Sequence, residues 1–220
     1  MKVTACLNPL HTALAIFGCL LDFSSIAEEM EDNDLLALVK NLAYGEALPV
    51  VKHPKIIEPE EFVKELLTKR LPNKNIPDTP QRIAADTSQK IPVRFGVTIG
   101  HYLESEELSV DNLEFIPLVI AAWCRYLLGK NDNLEEFTLS PDPLLEELQA
   151  HLVKVTLDGN TKELQSILEP LLKNKSIFPN DLYTNGLADK VEKYFASMIE
   201  GRGAIRSTLQ SALKEYGNKF

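Results

Sequence analysis

Apolar residues recur at helical spacing along most of this chain. Ala13, Ile16, Phe17, Leu20 and Leu21 share a face of a first helix. Ser24 and Ser25 then precede an acidic stretch. A second helix is predicted over 34–44, with Leu35, Leu38, Val39 and Leu42 on one face and Gly45 just beyond. Glu58-Pro59-Glu60 reads as a helix start leading to Leu66 and Leu67. Asn73 to Pro80 holds two prolines and two asparagines, directly after Pro72, and reads as a loop. Helix is predicted again from Gln81 to Lys90, with Ile91-Pro92 as its stop. Further helices are predicted over 111–128, 142–152, 161–172, 187–199 and 204–216. The first of these is strongly apolar around Trp123, and Asp142-Pro143 should cap and open the second. No period-2 strand series interrupts the pattern. The fold class is all-α, with roughly eight to ten helices at a mean of about 11–12 residues each.

Composition narrows the class of partner. Of 220 residues, 45% are hydrophobic, enough for a sizeable core, and the net charge is -9. An acidic surface disfavours nucleic acid and anionic membranes. No segment approaches the roughly 20 apolar residues of a membrane span. Cys6, Cys19 and Cys124 are an odd, widely spaced set without CxxC, which points to a reducing compartment and a cytoplasmic location. His53, His101 and His151 show no metal-ligand spacing, so no metal site is expected.

Two stretches carry more polar chemistry than a helical core needs. KVTACLNPLHTALAIFG, from Lys2 to Gly18, sets Lys2, Asn8 and His11 in an apolar run. By itself it also fits a core helix with a satisfied histidine and Asn8 as a cap. IPDTPQRIAADTSQKIPVRFG, from Ile76 to Gly96, crowds Arg82, Asp86, Ser88, Lys90 and Arg94 beside three prolines.

Together NxxHT, PDTPQRIAADTSQK and the later SMIEGRGAIRSTL resemble the carboxy-terminal domain of the long-chain mannitol dehydrogenase family, over essentially the whole chain. The resemblance implies a helical substrate domain, residues 1–220, that works beside an amino-terminal Rossmann domain binding NAD or NADP, without a catalytic metal. It implies Lys2 as general acid/base, Asn8 and His11 as groups that bind the reacting oxygen, and Arg82 and Lys90 as substrate contacts. It favours a fructuronate/mannonate-type sugar acid as substrate, with mannitol or another polyol as the alternative. These residue types suit the chemistry. A lysine whose pKa is depressed by burial and neighbouring cations can take the hydroxyl proton, Asn and His can donate to a developing oxyanion, and Arg can grip a carboxylate.

The Lys2–Asn8 separation is one residue longer than the family's usual spacing, and a one-residue bulge before Pro9 would restore Lys2 to the site. No strand–GxGxxG–helix segment is present, so the Rossmann domain is absent from this sequence. The chain alone should therefore be inactive, and a separate Rossmann-domain chain is a possible partner. A helical interaction protein with relict site residues remains open.

Overall fold

The computed structural model describes residues 7–51 and 58–217. Lys2, Cys6 and His53 lie outside the described residues, as does all but Leu7 and Asn8 of the stretch in which the bulge before Pro9 is expected. Helix α1 (Asn8–Leu20) is apolar on nearly every side and is buried accordingly. Ser25 caps the short α2 (Ile26–Glu29), its hydroxyl accepting from Glu28 N–H at 3.1 Å while Glu28 Oε2 accepts from Ser24 N–H at 3.0 Å. Asp32 caps α3 (Asn33–Lys40) by accepting from the Asp34 and Leu35 amides, each at 3.0 Å. The path continues through a π turn, Asn41–Ala47. Helix α4 (Pro59–Glu65) likewise runs into a π turn, Leu66–Arg70.

After the 73–79 loop, Thr79 caps α5 (Pro80–Ile83), and Asp86 turns the chain in left-handed geometry at φ 55° into α6 (Thr87–Ile91). The expected stop at Ile91-Pro92 does not occur. Pro92 has no N–H for the preceding turn and its ring crowds the carbonyl four residues back. The next turn widens to π geometry over Pro92–Gly96, with Val97 N–H donating to the Pro92 carbonyl, and the path proceeds as α7 (Val97–Glu104).

Helix α8 (Phe115–Tyr126) is the centre of the molecule, with all twelve residues buried. Then follow α9 (Leu145–Leu152), α10 (Leu164–Leu172), α11 (Leu187–Met198) and α12 (Ala204–Tyr216). Helices α1 and α11 pack against α8, α12 crosses α11, α8 and α3, and α9 pairs with α10. The expected all-α class holds. The twelve α-helical segments among the described residues exceed the sequence count because short pieces such as α2 and α5 carry too few periodic positions to register. Three starts also fall later than expected, at Phe115, Leu145 and Leu164. At the second, Leu144 and not Asp142 is the N-cap, although Asp142 Oδ1 still accepts from Leu144 N–H at 3.0 Å just before the helix. The Asp142 carboxylate also accepts from Ser88 N–H at 2.7 Å, Ser88 Oγ at 2.6 Å and Thr87 Oγ1 at 3.0 Å. Thr87 Oγ1 in turn accepts from Trp123 Nε1 at 3.0 Å. Half of the polar motif at 76–96 thus ties α6 to the core.

Both ends of α8 are held by charge. Glu46, fully buried, takes three backbone amides. Its Oε1 accepts from Glu114 and Phe115 at 2.7 Å each, and Oε2 from Ile116 at 2.8 Å. Burial still pushes its carboxyl up to about 7. Arg125, 0% exposed, donates to the carbonyls of Lys130 at 2.7 Å, Asn131 at 3.2 Å and Met198 at 3.3 Å. Its pKa falls to about 10 through burial.

Glycine is required at position 18. A Cβ there would stand 2.1 Å from Glu29 Oε1 and 2.7 Å from Pro80 Cγ. Glu29 is wholly buried, neither carboxyl oxygen has a partner among the described residues, and burial raises its pKa well above the ordinary range. Alanine gains up to about 1 kcal/mol of helix propensity over glycine. Gly18→Ala should nevertheless destabilise by about 1–3 kcal/mol, because a buried carboxyl and a proline ring must both move. An unchanged urea midpoint would show that Glu29 can retreat freely.

Candidate functional site

The first turn of α1 meets the 78–96 segment. Asn8 is the first residue of α1, half-buried, and its N-cap is Leu7. The Asn8 side chain therefore does not cap the helix, and it makes no hydrogen bond among the described residues. Its carbonyl accepts from Thr12 Oγ1 at 3.0 Å and from Arg94 Nη1 at 3.3 Å, and Arg94 Nη1 also donates to Thr12 Oγ1. Arg94 projects from the π turn that Pro92 begins. That turn thus fixes the position of the helix end bearing Asn8 and His11.

His11 follows Asn8 by three residues, on the same side of α1. Its side chain is 15% exposed, and Nε2 stands 3.4 Å from Asp78 Oδ2 without an aligned hydrogen bond. Burial is the chief cause, and Arg94, Arg70, Arg82 and Lys90 the further causes, of a pKa lowered to about 4. The imidazole is consequently neutral at pH 7, and its approach to Asp78 is not an ion pair. Asp78 Oδ1 pairs with Arg82 Nη2, and Arg82 is otherwise exposed. Lys90, half-buried, donates from Nζ to the Ile83 carbonyl at 2.9 Å. Burial and then Arg94 lower the Lys90 pKa, although Asp86 and Asp142 oppose them.

The structure thus brings Asn8, His11, Arg82 and Lys90 to one region, and Lys2 lies outside the described residues. Sequence reading gave no role to Asp78 or Arg70. Asp78 stands four residues before Arg82, a spacing at which opposite charges often meet. Arg70 had no signal, since 60 residues separate it from NxxHT. Chemically, the Asn8 amide, free among the described residues, can hold an uncharged hydroxyl or a carbonyl oxygen. Neutral His11 can do so once Asp78 gives way, because its Nε2 is without a partner among the described residues but is shut in against that carboxylate. The surrounding cations would stabilise negative charge developing on that oxygen.

His11 and Glu46 titrate in opposite senses. His11 falls from an ordinary 6.5 to about 4, so the unfolded chain binds the extra proton and stability is lost as pH falls through that window. Glu46 rises from 4.5 to about 7, so the folded chain binds the extra proton and stability is lost as pH rises through its window. The two slopes oppose each other. Between about pH 5 and about pH 7, His11→Asn should lose roughly 2 kcal/mol more at the higher pH, and Glu46→Gln about as much more at the lower pH. Urea unfolding at the two pH values checks both signs. Parallel profiles for the two variants would contradict the assignment.

The sequence profile of the mannitol dehydrogenase C-terminal domain matches residues 1–199. The chain therefore belongs to the mannitol dehydrogenase family, in its carboxy-terminal domain. It is 51% identical over 213 residues to D-mannonate oxidoreductase of Thermotoga maritima, covering 97% of this chain and 39% of that protein. It is 30% identical over 176 residues to mannitol 2-dehydrogenase of Phaeosphaeria nodorum, covering 80% of this chain and 28% of that one. The chain thus spans well under half the length of these relatives. Pseudomonas fluorescens mannitol 2-dehydrogenase, solved as a ternary complex with NAD and D-mannitol, superposes with a TM-score of 0.84 at 24% identity. The match covers 97% of this chain and 40% of that one, and shows the shared fold.

Proposed function

We propose that this chain is the substrate-binding half of an NAD(P)-dependent oxidoreductase that interconverts a keto sugar acid and its polyol acid, of the fructuronate/mannonate kind. The observation that carries the proposal is neutral His11, three residues after an Asn8 amide that is free among the described residues, within a group of cations. Such a site suits a sugar oxygen that gains negative charge as its proton leaves. The 51% identity to D-mannonate oxidoreductase favours the acid over mannitol. In this reading Asn8 and His11 hold the reacting oxygen, Lys2 exchanges its proton, and Arg82 and Lys90 contact substrate. Arg82 would exchange part of its pairing with Asp78 for that contact.

A nicotinamide dinucleotide, when bound, exchanges the hydride. The described residues hold no strand with a Gly-rich turn to cradle it; their only β contact is an isolated bridge between Lys130 and Glu136. The dinucleotide would be held by a Rossmann domain outside this sequence, in the same or a separate polypeptide. Among the described residues no helix is long and apolar enough to cross a membrane, and the buried Cys19 and Cys124 are free thiols. The free thiols favour work in the cytoplasm.

The test joins this chain to the amino-terminal part of T. maritima D-mannonate oxidoreductase, in trans or as a fusion. Fructuronate reduction is followed with NADH and NADPH. The chain alone should be silent and the combination active. A folded fusion that reduces fructose but not fructuronate would move the assignment to a polyol dehydrogenase. Silence toward both would leave a binding protein with relict site residues.

A further inference from the structure

Four cations act on His11, namely Arg94, Arg70, Arg82 and Lys90, in a chain whose net charge is -9. Asp78 is the carboxylate in contact with the imidazole. So much positive charge in an acidic protein marks the region as one that receives an anion. Three of the four already hold a protein oxygen. Arg82 pairs with Asp78, Lys90 donates to the Ile83 carbonyl, and Arg94 donates to the Asn8 carbonyl and the Thr12 hydroxyl. Arg70 holds none among the described residues. Its charge nevertheless acts on His11 more strongly than that of Arg82 or Lys90.

Arg70, itself exposed, ends the π turn after α4 and lines with His11, Asn73 and Asp78 a recess of about 10 Å³, which a substrate reaching His11 would have to widen. The recess adjoins an open hollow of about 380 Å³ that shares Arg70, Asn73 and Ile76 as a wall. That volume falls within the ~300–1,000 Å³ usual for small-molecule sites. Phe62 and Ile76 give the hollow apolar surface for a carbon chain, and Lys69 beside them is already paired with Glu65 at 2.8 Å.

We propose that Arg70 selects a carboxylate-bearing substrate, its unpartnered guanidinium gripping the acid group while the reacting carbon lies toward Asn8 and His11. The proposal rests on the sugar-acid reading above and deepens it. A guanidinium presents two parallel N–H groups that match a carboxylate. A neutral polyol offers nothing for that fork to hold. Arg70 would thus separate acid from polyol substrates, and Arg82 and Lys90 would serve the hydroxyls common to both.

The complete 220-residue chain suffices for the test, with no cofactor or second domain. The imidazole C–H resonance of His11, identified by its loss in His11→Asn, is followed by NMR during titration with mannonate, mannitol and inorganic phosphate. The same series is run on Arg70→Gln, Arg70→Lys and, as a control for exposed charge, Lys69→Gln. Mannonate should move the His11 signal at concentrations where mannitol does not. Arg70→Gln should weaken mannonate binding about tenfold or more, Arg70→Lys less, and Lys69→Gln little. Failure of mannonate to move the signal would overturn the inference. Mannonate binding that ignores Arg70 would also overturn it, leaving the sugar-acid reading intact. Tighter Arg70-dependent binding of phosphate than of mannonate would overturn it too, giving the residue to a phosphate.

Discussion

Glu46→Ala is expected to bring the folded chain close to unfolding, with a loss of about 3–5 kcal/mol in urea denaturation. Three backbone amides at the start of α8 depend on this one carboxyl, and nothing else among the described residues accepts from them. Stranding a buried N–H costs about 1–3 kcal/mol, and a domain of this size holds only about 5–15 in total. The damage would spread because α8 is the helix against which α1 and α11 pack. Glu46→Gln separates the contributions. Its remaining oxygen can keep the Glu114 and Phe115 bonds, but its amide nitrogen would face the Ile116 N–H. It should fall between wild type and alanine. A cooperative transition at the wild-type urea midpoint for Glu46→Ala would mean that water can reach and satisfy the helix end.

His11→Asn is expected to lower kcat about 10²–10³-fold in the fusion enzyme, the size of loss seen when one oxyanion donor is removed. Folding should survive at neutral pH, since the imidazole Nε2 has no hydrogen-bond partner among the described residues to lose. The effect should fall mainly on kcat and little on KM, because the contact matters most once charge has developed on the oxygen. Changed KM with full kcat would make His11 a binding residue and remove it from the proton path.

The helices legible in the sequence were those that bury one continuous face. The stretches 187–199 and 204–216 were read nearly to their ends, because their apolar periodicity comes from the same packing that the structure shows, whereas the helix expected over 34–44 leaves α geometry at Lys40 and runs through Gly45 in a π turn. What escaped was backbone behaviour decided by tertiary partners. Pro92 looked like a stop because a proline does break α geometry, but the choice of a π turn instead depends on the contact with α1. Asp142 looked like a cap because Asp-Pro is a good helix opening, yet Thr87 and Ser88, more than fifty residues earlier, claim its oxygens. The site divides in the same way. Asn8, His11, Arg82 and Lys90 lie in two dense motifs and could be singled out as sequence. Asp78 and Arg70 matter through where the chain brings them, and no local pattern marks an unpartnered guanidinium.

The π turns bear on how the length of this chain can vary. Three occur among the described residues; Pro92–Gly96 joins two α-helices, whereas Asn41–Ala47 and Leu66–Arg70 extend the ends of α3 and α4. A π turn accommodates one more residue than an α turn while keeping the flanking faces in register. Losing one residue from the 66–70 turn, at exposed Thr68 for instance, would let it close to α geometry with α4 before it unmoved and the 73–79 loop after it taking up the shift. The same loss within α8 would rotate every later position by about 100° and turn buried side chains away from their partners. Single-codon insertions and deletions should therefore be absorbed at these turns, leaving α8 with the stricter length.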